Sequence, residues 1–129
     1  MESGHHLGDL QLAIMRVLWD EGEATVARVV EALPPDRRRA LTTIATMLTK
    51  MEKKGVVRHR LDGRQFVYRP TVEERAVTRS MVADLTQRLF EGDVTALVSH
   101  LITEAEIDAD ELGRLRRLIA ARQEAEDAS

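Results

Sequence analysis

The chain has 129 residues, a formal net charge of −3 at neutral pH and no cysteine, and 43% of its residues are hydrophobic. That hydrophobic share can bury a core, which argues against a disordered protein, and the lack of cysteine excludes disulfides, thiolate metal sites and thiol nucleophiles. No apolar run approaches the roughly 20 residues that span a bilayer, and the N-terminus lacks a signal-peptide pattern. We therefore expect a cytoplasmic protein without a membrane partner.

Three short helices are predicted in the first half of the chain, at about residues 9–21, 25–33 and 40–54, because apolar residues recur there at helical spacing. Asp9 and Thr25 are suited to cap the first two helices. Glycines at the ends of the first and third helices and two prolines after the second favour termination at Gly22, Gly55 and Pro34.

The third helix has two contrasting faces. Its apolar face, predicted to be buried, carries Leu41, Ile44, Ala45, Leu48 and Met51. Its opposite face carries Thr42, Thr43, Thr46, Thr49, Lys50 and Lys53. Four threonines on one exposed face have no evident stabilising purpose, since β-branching lowers helix propensity, which favours a binding role for this face over an inert surface.

Two short strands follow, at residues 56–61 and 65–69, with Asp62-Gly63 between them as a signal for a tight hairpin turn. Residues 37–69 contain ten Lys and Arg against two Asp and Glu, a net charge of +8 inside an acidic protein. A basic stretch of this kind indicates a surface that binds a polyanion.

Helices resume after Pro70. Capping-box patterns at residues 71–74 and 108–111 predict the start of a long helix to about Phe90 and of a last helix to about Glu124, with a further helix at about 94–103. We expect a domain boundary near Pro70–Thr71: a DNA-binding domain over residues 7–70, a helical domain over 71–124, and disordered tails at 1–6 and 125–129.

Three helices followed by a hairpin is the element order of a winged helix, whose third helix enters the DNA major groove while the hairpin touches the flanking backbone. The predicted fold class is thus mainly α with a small β-hairpin wing: a winged helix-turn-helix domain plus a C-terminal helical dimerisation segment. Arginines before the third helix and on the wing would contact phosphates. The predicted DNA-binding residues are Arg38, Arg39, Thr42, Thr43, Thr46, Lys50, Arg60 and Arg64.

The C-terminal helices are too apolar for solitary exposed helices, so they pack either on the winged helix or on a second chain. We favour a homodimer, because twofold symmetry matches a palindromic operator. The predicted dimerisation residues are Val77, Met81, Leu85, Leu89, Leu97, Leu101 and Leu115.

Several short motifs resemble those of the BlaI/MecI-type penicillinase repressors. They are residues 7–10 (LGDL), 43–48 (TIATML), 51–55 (MEKKG) and 63–70 (GRQFVYRP), followed by a helical tail with 111–115 (ELGRL). The resemblance extends from Leu7 to about Ala121. It implies a winged-helix repressor whose third helix lies in the operator major groove, with Thr42, Thr43, Thr46 and Lys50 contacting DNA, Arg64 in the wing and dimerisation through the C-terminal helices.

The resemblance also implies a regulatory protease as a partner, which inactivates the staphylococcal type at an Asn-Phe pair in the C-terminal part. This sequence departs from that pattern, with His100-Leu101 at that place, so the resemblance supports operator binding better than inactivation by a protease. A related branch senses copper through Cys-x-Cys motifs, and a chain without cysteine cannot use that mechanism.

An enzyme is not expected, because no phosphate loop or nucleophile motif is present. His5 and His6 lie in the N-terminal tail, His59 lies between two arginines on a strand, and His100, between apolar positions, is expected to be partly buried. The acidic residues 104–111 lack the glycine and spacing of a calcium loop, so we predict no metal and no cofactor. The alternative function is a winged-helix module that binds a protein partner and no specific DNA.

Overall fold

The computed structural model describes residues 6–129, in which six α-helices accompany one three-stranded antiparallel sheet. It confirms the predicted fold class, a mainly α chain with a winged helix-turn-helix domain. The predictions made for residues 1–5, including His5, lie outside the described residues. In chain order the elements are α1 (Asp9–Glu21), β1 (Ala24–Thr25), α2 (Val26–Ala32), a 3-10 turn (Pro35–Arg37), α3 (Leu41–Lys54), β2 (Val57–Asp62), β3 (Gln65–Pro70), α4 (Glu74–Phe90), α5 (Val94–Glu104) and α6 (Ala109–Ala128).

The ends of the first three helices follow local capping chemistry. The Thr25 side chain accepts a hydrogen bond from the backbone N–H of Arg28 at 3.1 Å and caps α2, as predicted. Gly55 ends α3 in the left-handed conformation with φ 85°, which a residue with a Cβ adopts only at a cost. At α1 the cap is Gly8 and not Asp9, because Asp9 is already the first helical residue, where its carboxylate faces the positive end of the helix dipole.

The sheet has the order β1-β3-β2, and β1 was not predicted because two residues carry no alternation pattern. In the hairpin, Asp62 pairs with Gln65, so the turn residues are Gly63 and Arg64 rather than Asp62 and Gly63. Gly63 has φ 65°, and Arg64 is not among the residues with positive φ. This is the φ pattern of a type II′ turn, whose twist suits a hairpin.

The predicted capping box at Thr71 does not form, and α4 begins at Glu74. The Thr71 hydroxyl donates instead to the carbonyl of Gly55 at 2.7 Å, and its N–H donates to the carbonyl of Val56 at 2.9 Å. The next residue, Val72, accepts a hydrogen bond from the Trp19 indole at 2.9 Å. The chain leaving the wing is thereby tied both to the end of α3 and to α1.

The hydrophobic core lies in the first of two compact units, which ends at Asp84. Ile44, Leu48 and Met51 of α3 have no exposed surface and pack there with residues from α1, α2, β2 and β3. Two members of the predicted buried face of α3 differ: Leu41 is 52% exposed and Ala45 is half-buried. Leu41 is the first helical residue and extends beyond the core, so helical periodicity alone overestimated the buried face.

The second unit runs from Leu85 to Ser129. Asp93 caps α5, and Asp108 with Glu111 forms the predicted capping box at the start of α6. Helix α6 continues to Ala128, beyond the predicted end at Glu124. His100 is exposed rather than partly buried, with its ring 5.8 Å from that of Phe90. Among residues 6–129, no helix is long and apolar enough to cross a membrane.

Replacing Trp19 with phenylalanine tests the tie between α1 and the segment after the wing. The ring keeps most of its packing but the indole hydrogen bond to Val72 is lost, so we expect the free energy of unfolding to fall by about 1 kcal/mol. Because Trp19 is the only tryptophan, urea denaturation is followed by circular dichroism rather than fluorescence. An unfolding midpoint equal to that of the wild type would show that the bond contributes nothing.

Candidate nucleic-acid interface

The outer face of α3 carries a shallow depression lined by side chains of one helix. Its lining residues are Thr42, Thr43, Thr46, Met47 and Lys50. All but Met47 are exposed, and Met47 is half-buried. Residues three and four apart on a helix are neighbours, which places these side chains on one continuous stripe. The structure therefore brings together the four predicted contact residues of the third helix and adds Met47, which the sequence reasoning did not consider.

The hydroxyls of Thr42, Thr43 and Thr46 make no hydrogen bond to any other described residue, whereas the Thr49 hydroxyl donates to the carbonyl of Ala45 at 3.0 Å. Threonine inside a helix commonly satisfies its hydroxyl in this second way. Three unused hydroxyls beside the Lys50 ammonium form a surface that can donate to and accept from an external ligand.

A chain of hydrogen bonds from Lys54 through Gln11 holds the Met47 side chain in place. The Lys54 ammonium donates to the carbonyl of His6 at 2.6 Å and to Gln11 Oε1 at 2.8 Å. Gln11 Nε2 donates to the Met47 sulfur at 3.3 Å. Because an ammonium group can only donate, it bonds to the amide oxygen of Gln11, which leaves the amide nitrogen facing the thioether of Met47. Met47 also packs against the core, so it is held from two sides.

The arginines before α3 differ in their hydrogen bonds. The Nη2 atom of Arg38 donates to the carbonyls of Glu31 and Leu33, at 2.9 Å and 3.0 Å, and so satisfies backbone groups at the end of α2. Within residues 6–129, Arg39 donates only to the neighbouring carbonyl of Arg38, at 2.9 Å. The two adjacent arginines are both exposed, but only Arg38 is bonded to backbone groups of another element.

The wing is joined to the end of α3 by a pair of side chains that the sequence analysis did not identify. His59 Nδ1 of β2 lies 2.6 Å from Glu52 Oε1 of α3, and its ring packs against Phe66 at 4.2 Å between centroids. Alternation along β2 places His59 on the same face as buried Val57, so this face is turned toward α3. Beside it, burial raises the pKa of the Tyr68 hydroxyl.

The same alternation places Arg60 on the opposite face of the hairpin. It donates to Glu23 Oε2 at 2.8 Å, and this bond raises the pKa of Arg60, with a further contribution from Asp62. Arg60 thus links the wing to the segment before β1 and is not brought to the depression on α3. Arg64, by contrast, occupies the exposed turn and makes no hydrogen bond or ion pair within residues 6–129.

The residues predicted for dimerisation fall into separate environments. Val77 is 1% exposed and lies in the core of the first unit, and Met81 packs against that core. The structure therefore gives Val77 an intrachain role where its four-residue spacing predicted a contact between two chains. The others lie in the second unit: Leu85, Leu89 and Leu101 are exposed, and Leu97 and Leu115 are partly buried.

No group of three or more His, Asp or Glu side chains is placed to hold a metal ion in residues 6–129. His100 and Leu101, which depart from the Asn-Phe pair expected from the family resemblance, lie inside α5. A protease needs an extended backbone, so cleavage there requires local unwinding of the helix.

Comparison with known proteins gives consistent findings. The sequence profile of the penicillinase repressor family matches residues 7–121. The transcriptional regulator BlaI of Mycobacterium tuberculosis is 37% identical over 116 residues, which cover 88% of this chain and 83% of that protein. The penicillinase repressor of Bacillus licheniformis is 25% identical over 113 residues, 88% of each chain. A solution structure of the DNA-binding domain of the repressor BlaI is 32% identical, covering 55% of this chain and 87% of that one, with a TM-score of 0.49.

Alanine substitutions at Arg38 and Arg39 separate the two roles assigned above. Arg38→Ala removes two hydrogen bonds to backbone carbonyls and should lower the free energy of unfolding by about 1 kcal/mol. Arg39→Ala should leave it within about 0.5 kcal/mol of the wild type. Urea denaturation of both variants makes the comparison, and equal stability of the two would contradict the assignment.

Proposed function

This chain belongs to the penicillinase repressor family, and we propose that it is a dimeric repressor that binds a palindromic DNA operator, with α3 in the major groove and the wing on the adjacent backbone. The family consists of transcriptional repressors and not of enzymes. The relatives reported above come from bacteria, whose DNA lies in the cytoplasm. A repressor that binds this DNA is therefore a cytoplasmic protein.

The observation that carries the proposal is the outer face of α3. The inner face of this helix is fully buried at Ile44, Leu48 and Met51, so its outer face has one orientation relative to the fold. The major groove is about 12 Å wide and admits one helix that carries short polar groups. Three unused threonine hydroxyls and Lys50 match that requirement, since each can bond to phosphates or base edges.

Basic residues around α3 supply the phosphate contacts in this proposal. Arg39 and Arg64 are exposed and form no ion pair with a carboxylate of residues 6–129, and Lys50 lines the depression. Arg38 and Arg60, which were also predicted to bind DNA, are engaged within the fold, so we assign them to positioning the chain before α3 and the wing. Each lost phosphate contact lowers affinity without changing the preferred sequence.

The second unit supports dimerisation. Neither α5 nor α6 contains a buried residue, although both carry large apolar side chains that remain exposed: Val94, Val98, Leu101, Ile102, Leu112, Leu118 and Ile119. Exposed apolar surface on this scale marks an interface. A second copy of the chain is the occupant we propose, because two identical winged helices related by a twofold axis match the two halves of a palindrome.

Selection from random DNA tests the function directly. The purified full chain is mixed with a pool of random duplexes, and the retained fraction is sequenced. We expect a palindromic motif, bound by two chains, with affinity that falls steeply as salt rises because counterions are released from the phosphates. Recovery of no motif, with weak binding that vanishes by about 200 mM salt, would contradict the proposal and favour a module that binds a protein partner.

Lys50→Ala tests the contribution of the α3 face. On the recovered duplex we expect roughly tenfold weaker binding at near-physiological salt, together with a smaller slope of log affinity against log salt if Lys50 contacts a phosphate. Fluorescence anisotropy measures both quantities. Unchanged affinity would remove Lys50 from the interface.

A charge placed on α5 tests the dimer. Leu101→Asp buries a carboxylate in the proposed interface and should weaken dimerisation about tenfold or more. The matched control is Leu61→Asp in the wing, where the leucine is 63% exposed against 50% at Leu101. Analytical ultracentrifugation should show the mass of a monomer for the first variant only. A dimer that persists in Leu101→Asp would place the interface elsewhere.

A further inference from the structure

We infer that the depression on α3 reads thymine through its 5-methyl group, with Met47 as the central apolar contact. The inference rests on the proposed function, because it concerns what α3 does inside the major groove. It names a base and a residue that the winged-helix architecture by itself does not specify.

The side chains of α3 leave few other ways to discriminate bases. Asparagine or glutamine recognises adenine, arginine or lysine recognises guanine, and aspartate or glutamate recognises cytosine. Helix α3 contains no Asn, Gln, Asp or Arg. Its one carboxylate, Glu52, is held by His59 at 2.6 Å. Lys50 is therefore the only side chain of the depression that can recognise a base by a charged hydrogen bond, and guanine is the base it suits.

Threonine hydroxyls add affinity but little discrimination, because a hydroxyl both donates and accepts and so bonds to any base. What remains is apolar contact. Thymine differs from the other bases in the major groove by its methyl group. Thr43 and Thr46, which carry methyl groups, and Met47, which carries a thioether, line the same depression. Apolar groups among short polar groups are the chemistry that a methyl group requires.

Gln11 lies outside α3, beside Met47, and its side chain is not available to recognise adenine. Its amide is committed at both ends, to the Lys54 ammonium at 2.8 Å and to the Met47 sulfur at 3.3 Å. It acts instead as a positioning residue, since it limits the rotation of a side chain that is otherwise flexible. Met47 also packs against the core, so its position is restricted by both contacts.

Replacement of thymine by deoxyuridine isolates the methyl group, because uracil keeps the same O4 acceptor and the same pairing. Each thymine of the selected half-site is replaced in turn, and affinity is measured by anisotropy at one salt concentration. For the wild type we expect at least one position where the substitution weakens binding about fourfold, the change that corresponds to burying one methylene-sized group. In Met47→Ala the ratio between thymine and uracil at that position should approach one.

Lys53→Ala is the matched control. Lys53 lies on α3 but outside the depression, so its loss changes the charge and leaves the thymine-to-uracil ratio as in the wild type. Met47→Leu keeps the apolar volume and should retain most of the ratio of affinities for thymine and uracil. It serves as a second variant in case Met47→Ala fails to fold.

The outcomes are separable. Failure to recover any motif overturns the proposed function and this inference with it. A recovered half-site without thymine, or one bound equally with thymine and uracil, overturns the inference and leaves the function standing. A uracil effect that is as large in Met47→Ala as in the wild type assigns the effect to DNA shape or to the threonines and removes Met47 from the readout.

Discussion

Burial of one face of α3 is the constraint on which the rest of the first unit depends. Ile44, Leu48 and Met51 have no exposed surface and share a core with α1 and α2. Burying side chains of this size contributes roughly 1.5–3 kcal/mol each, a substantial part of the 5–15 kcal/mol by which a domain is typically stable. Rotation of α3 about its axis would expose them, so the outer face is held in one orientation. In the proposed complex with DNA, a helix that enters a groove of fixed width needs that rigidity.

The position of the wing also depends on α3. Its inner face continues the core through Val57 and Tyr68, and His59 binds Glu52 near the end of α3. Its outer face is tied to the segment before β1 by Arg60 and Glu23. The hairpin is therefore fixed from both faces, while its turn, with Arg64, stays exposed. Arginines that look alike in the sequence thus differ in the structure: Arg60 is bonded to another part of the fold, whereas Arg64 is exposed.

The apolar stripe of α4 shows how one periodicity can serve two purposes. Val77 and Met81 fill the core of the first unit, whereas Leu85 and Leu89 belong to the second unit and are exposed, Leu89 at 68%. Nothing in the four-residue spacing marks this change, because spacing reports only that residues share a helical face. In α5 and α6 the large apolar residues are likewise exposed, and in the proposed dimer a second chain would cover them.

Local signals in the sequence determined the number and order of the helices, the hairpin, the caps at Thr25 and Asp108, and the two faces of α3. These depend on neighbours within about four residues, through backbone dihedrals and helical spacing, so short windows encode them. The sequence also placed Thr42, Thr43, Thr46 and Lys50 on one surface. Only the tertiary structure decided that Gln11 holds Met47, that Trp19 holds Val72 and that Val77 is buried. The hydrogen bonds from Gln11 to Met47 and from Trp19 to Val72 join residues 36 and 53 positions apart. Contacts of that separation exist only once the core has formed, because their partners are chosen by packing and not by any local preference.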